Sequence, residues 1–134
     1  MRPVKVYTPY YPFFLDDPPI LQMPKNKVIV HQDKVQNVRF EWKPQHLYSE
    51  NIGNNVKVTY QLRLYEIIPN KDLSTSVPVW THTTVNTNYT LTVDDYPLQP
   101  ETKYGWQVKV ITNQPDKTYF NNDGCSKIAV FEYR

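Results

Sequence analysis

Leu98-Gln99-Pro100-Glu101-Thr102-Lys103-Tyr104-Gly105-Trp106-Gln107-Val108-Lys109-Val110 is the stretch on which the fold turns. Tyr104, Trp106, Val108 and Val110 alternate with Gln107 and Lys109, so an extended chain would carry an apolar face and a polar one. A helix would scatter both sets around its axis. A half-buried strand is therefore expected over 104–111.

The same period recurs outward along the chain. Val38, Phe40 and Trp42 alternate with Arg39, Glu41 and Lys43, and Val58, Tyr60, Leu62 and Leu64 alternate with Lys57, Thr59, Gln61 and Arg63. Tyr89, Leu91 and Val93 form a shorter apolar face that ends at Asp94-Asp95-Tyr96-Pro97. Further strands are expected at 79–85 and 126–133. A first strand is expected over 19–31, interrupted at Pro24 and Asn26, with Val28 and Val30 turned outward from Ile29. Its prolines cannot donate to a ladder, which suits a sheet edge. Pro69-Asn70-Lys71-Asp72 and Asn86-Thr87-Asn88 are turn chemistry. Seven short strands punctuated this way predict an all-β, seven-stranded sandwich.

Composition agrees and sets limits. The chain has 134 residues, room for one core, with 40% hydrophobic and 21% charged residues. Twelve prolines, eleven tyrosines and three glycines favour short extended segments with rigid connections. A net charge of +2, with both signs interspersed, argues against nucleic acid. No apolar run approaches the roughly 20 residues of a membrane span, so membrane insertion is not expected. Cys125 is the single cysteine, which excludes an internal disulfide and a cysteine-ligated zinc site.

The corner segment 98–110, with Trp42 on the second strand, resembles the E–F corner and strand F of fibronectin type III domains. The resemblance covers 18–133 and implies an immunoglobulin-like sandwich with Trp42, Leu98, Tyr104 and Trp106 as structural residues. It also implies that Tyr104 packs on Leu98 and bonds its hydroxyl to upstream backbone. Asp17-Pro18-Pro19-Ile20-Leu21, Phe40-Glu41-Trp42, Leu64-Tyr65-Glu66-Ile67, Tyr104-Gly105-Trp106-Gln107-Val108 and Asn121-Asn122-Asp123-Gly124 are similar to repeats of large cell-surface or secretion-associated proteins of Bacteroidota-type bacteria. What this implies is a domain at 18–134 inside an extracytoplasmic, multidomain parent. Residues 1–17 would be an extended linker or the tail of a preceding domain, with Tyr7, Tyr10, Tyr11, Phe13 and Phe14 packing on a neighbour. The implied partners are neighbouring domains of that parent and a protein or glycan ligand. No Arg-Gly-Asp occurs, so integrin-type adhesion is not supported.

Motifs for chemistry are lacking. His31, His46 and His82 have no metal-ligand spacing, and three glycines cannot supply a phosphate loop, a dinucleotide fingerprint or a nucleophile elbow. No enzyme activity, metal or cofactor is expected. Asp16-Asp17 and Asp94-Asp95 offer oxygens to calcium, but without loop-spaced partners they read as a solvated linker and a turn cap. Asn88-Tyr89-Thr90 matches the N-glycosylation acceptor pattern, a triplet short enough to arise by chance.

Tyr119 and Phe120 are adjacent aromatics in a long polar connection, and alternation cannot place both in a core. In a sandwich of this order the B–C loop (44–55, with His46, Leu47 and Tyr48), the turn at 86–88 and the F–G loop (113–125) meet at one pole. Tyr48, Tyr119 and Phe120 are accordingly the candidate partner-binding residues; the opposing reading has Tyr119 and Phe120 folded back as a lid on the core. The function expected is a non-catalytic structural and interaction module. The alternatives are a carbohydrate-binding sandwich using Tyr48, Trp80, Tyr119 and Phe120, or an accessory domain of a glycoside hydrolase or protease.

Overall fold

The computed structural model describes residues 15–46, 56–73, 76–114 and 119–134. Among these are eight strands: β1 (Ile20–Met23), β2 (Val28–Val30), β3 (Asn37–Lys43), β4 (Val58–Glu66), β5 (Trp80–Thr84), β6 (Asn88–Thr92), β7 (Thr102–Thr112) and β8 (Ala129–Tyr133). They form a three-stranded sheet, β1-β3-β6, and a five-stranded sheet, β2-β8-β7-β4-β5. The all-β reading and its division into two sheets hold. No helix among the described residues is long and apolar enough to cross a membrane.

The strand count differs from seven because the first strand divides. β1 pairs antiparallel with β3, the chain turns at the cis Met23–Pro24 peptide, and β2 then pairs parallel with β8 in the other sheet. Both halves are edge strands, where a proline costs no ladder bond. The expected orientation of β2 was inverted. Val28 and Val30 pack against the core and Ile29 faces outward, because the parallel register with Phe131 and Tyr133 turns the valines inward.

Alternation was otherwise a sound guide. Val38, Phe40 and Trp42 on β3, Tyr60, Leu62 and Leu64 on β4, Leu91 on β6 and Tyr104, Trp106, Val108 and Val110 on β7 are all buried in one cluster between the sheets. Aromatic rings bridge the two layers: Phe40 meets Trp106 edge-on at 4.9 Å, and Trp42 meets Tyr60 at 5.8 Å. Such pairs contribute about 0.5–1.5 kcal/mol beyond their burial. Boundaries move, with β7 lengthened to Thr102–Thr112 and other strands shortened. β6 ends at Thr92 and leaves Val93 exposed, since the Asp95 carboxylate accepts the Thr92 amide at 3.0 Å and stops the strand. The last strand starts at Ala129 rather than 126, after the F–G connection has made its own contacts with β7.

Two side-chain bonds fasten the corners. Tyr104 is fully buried and its hydroxyl accepts the Gln99 amide at 2.8 Å, beside buried Leu98. Trp106 donates its indole N–H to the Pro24 carbonyl at 3.0 Å, tying the bend between β1 and β2 to the centre of the other sheet.

Candidate functional site

The order of the strands carries the approach to β1, the β3–β4 connection, the β5–β6 turn and the β7–β8 connection to one pole. At that pole His46, just past β3, is buried and its Nε2 lies 2.9 Å from the Tyr60 hydroxyl. The Phe120 ring stands edge-on to the imidazole at 5.5 Å. Burial holds the His46 pKa below the ordinary histidine value, against the opposing influence of the nearby Asp16 carboxylate. The Asp16 amide donates to Tyr119 O and the Asn121 amide to Asp16 O, each at 2.9 Å, a short parallel bridge between the N-terminal approach and the β7–β8 connection. Asn121 Nδ2 donates to Asp17 Oδ1 at 3.0 Å.

Phe120 and Tyr119 thus separate. Phe120 is 5% exposed and belongs to the core, the arrangement of the folded-back reading. An aromatic ring flanked by His46 and the sheet gains more from burial than from water. Tyr119 is half-buried, with its hydroxyl donating to Gln114 Oε1 at 3.0 Å. Tyr48, Leu47 and the aromatic segment 1–14 lie outside the described residues.

After Asn121 the chain turns sharply, with Asn122, Asp123 and Gly124 at φ of 54°, 54° and 79°. A Cβ on Gly124 would come within 2.7 Å of the Val110 carbonyl oxygen. Only glycine lets the loop lie that close against β7 while adopting this φ. Ser126 then locks the return: its amide donates to Val108 O at 2.9 Å, and its Oγ accepts the Val108 amide at 3.0 Å.

Folded over in this way, the connection walls a cleft of about 400 Å³ on the outer face of β4 and β7, lined by Gln61, Arg63, Lys109, Thr112, Tyr119 and Asp123 among others. Arg63 Nε donates to Gln61 Oε1 at 2.6 Å, and Nη1 lies 4.0 Å from Cys125 Sγ. Lys109 pairs with Asp123 at 3.0 Å, where the carboxylate is largely in water. Sequence alternation put Gln61, Arg63 and Lys109 on the solvent face, and the register sets Gln61 opposite Lys109. Nothing in the periodicity announced that the loop would arch over them.

The remaining expectations are scattered. Asp95 caps a turn, accepting from Tyr89 Oη at 2.8 Å and from the Thr92 amide; burial alone would raise its pKa, but these bonds hold it below the ordinary aspartate value. Trp80, His82 and Tyr89 pack together where the edge strands β5 and β6 adjoin, with Trp80 and His82 parallel within 3° and Tyr89 tilted by 34° to each. One indole face is therefore already covered. His31 is exposed at the other pole, and Asn88 opens β6 opposite Glu41. No group of three or more metal-ligating side chains occurs among the described residues. No protein-family model matches the chain, and no curated protein is significantly similar to it in sequence.

Proposed function

We propose that the chain is a fibronectin type III-like, immunoglobulin-like sandwich serving as a non-catalytic structural and interaction module of a larger multidomain extracytoplasmic protein. The observation that carries the fold assignment is the corner: a fully buried Tyr104 whose hydroxyl accepts the Gln99 amide next to Leu98, at the point where the chain crosses from one sheet to the other. The strand order supports it. With the strands named in sequence, β1-β3-β6 corresponds to A-B-E, and β8-β7-β4-β5 to G-F-C-C′, with the second half of A added beside G.

The module reading draws on how the chain runs through the sandwich. It approaches β1 at the loop pole and leaves β8 at the opposite pole, an arrangement that lets domains be joined end to end. At the loop pole, the folded β7–β8 connection walls a concave surface, and partner binding is assigned there. Of the four rings in the carbohydrate reading, Tyr48, Trp80, Tyr119 and Phe120, the Trp80 ring is stacked on His82 and Phe120 is buried, while Tyr119 lines the cleft.

The test is protease shaving of intact producing cells, followed by mass spectrometry. Release of peptides from this chain without lysis is expected of a surface module. Digestion only after the cells are broken would overturn the extracytoplasmic assignment.

A further inference from the structure

We infer that the cleft between the β7–β8 connection and the outer face of β4 and β7 binds an acidic saccharide, recognising a sugar carboxylate through Arg63. The inference rests on the assignment of partner binding to this pole. Among the described residues, Arg63 and Lys109 are the cations of the cleft and Asp123 its carboxylate, so two positive charges face one negative. Lys109 is already matched with Asp123, whereas Arg63 has no carboxylate partner among the described residues. Its Nε is anchored on Gln61 and its Nη1 reaches only a thiol, a weak acceptor, at 4.0 Å. A half-buried guanidinium held in place with unused donors is matched best by a planar, bidentate carboxylate.

The surroundings favour a sugar over a peptide. β4 and β7 are inner strands whose backbones are paired on both sides, so an extended peptide finds no ladder to join. Recognition must come from side chains. Gln61 keeps its amide N–H groups and Asp123 a largely solvated carboxylate, a set that both donates to and accepts from ring hydroxyls. Tyr119 supplies an aromatic wall fixed by its bond to Gln114. A volume of about 400 Å³ falls in the range of roughly 300–1,000 Å³ typical of small-ligand sites.

Isothermal titration calorimetry of the full chain with an oligogalacturonate tests this, alongside the neutral galactose oligomer of equal length and a polyglutamate peptide. Binding of the oligogalacturonate is expected, weakened by added salt and reduced roughly tenfold or more by Arg63→Gln, the loss anticipated for a hydrogen-bonded charge. Tyr119→Ala should weaken it too, while Lys34→Gln, at the opposite pole, should leave it unchanged. Melting curves of each variant establish that it is folded, so loss of binding reads on the site. No binding of the oligogalacturonate, equal binding of the neutral oligomer, or an unchanged affinity in Arg63→Gln would each overturn the inference. Binding of polyglutamate alone would also overturn it, yet would leave the pole as a partner surface, whereas silence from all three ligands together with failed surface shaving would remove both.

Discussion

Tyr104 shows how one atom can fasten a crossing between sheets. Its ring is fully buried against Phe131, and only the hydroxyl satisfies the Gln99 amide in the corner. Tyr104→Phe removes the acceptor and leaves that amide without its partner, a loss of about 1–3 kcal/mol. Urea denaturation of the variant should show the drop; an unchanged midpoint would mean that the bond contributes nothing. His46 gives a second prediction, this one of pH dependence. Burial depresses its pKa in the folded state, so on acidification the unfolded chain takes up the proton first. Stability contributed this way is complete above the unfolded value of about 6.5 and declines as pH falls through it toward the folded value. Asp95, whose pKa is also depressed, contributes stability that is lost only at lower pH, as the carboxylate range is entered. Melting temperatures from pH 8 to 5, about the window histidine titrates in, should fall for the native chain and less for His46→Gln.

Among the elements, the β7–β8 connection depends on a single glycine. Gly124→Ala puts a Cβ within 2.7 Å of Val110 O at a φ of 79°, so the turn must back away from β7. The substitution should cost more than about 1 kcal/mol by urea denaturation and speed exchange of the Val108 amide, which Ser126 Oγ otherwise holds. Stability and exchange equal to the native protein would show that the loop does not need its left-handed turn. Strands of this kind are legible from sequence because each has one dry face, and a period of two exposes it: the alternating apolar residues of β3 and β7 came out buried, as did Tyr60, Leu62 and Leu64 of β4. The division of the first strand was harder to see. Pro24 and Asn26 marked an interruption, but which sheet each half joins depends on a parallel pairing with β8, some hundred residues away. Tyr65, to which alternation had given no face, is 6% exposed and donates its hydroxyl to Gln107 Oε1 at 3.2 Å. The cleft was invisible for a similar reason: its charged residues were assigned to the right face, while the loop that makes the face concave is fixed by long-range bonds.

For the molecule as a whole, the described part of the β7–β8 connection shares the core that lies between the two sheets. Phe120 belongs to the same buried cluster as Trp42 and Trp106, although it comes from a loop. Phe120→Ala should therefore destabilise the entire sandwich by about 3–5 kcal/mol, the range for truncating a buried aromatic, and not merely loosen the loop. A melting temperature close to native would place that ring outside the core. The proposed function requires the pole to be built before any partner arrives, since a preformed cleft binds without the cost of ordering its walls. Native-state amide hydrogen exchange tests this most directly. The Asn121 amide, bonded to Asp16 O, and the Ser126 amide, bonded to Val108 O, are expected to exchange far more slowly than those of an unstructured chain. Exchange of both at unstructured rates, with β4 and β7 still protected, would contradict a preformed pole.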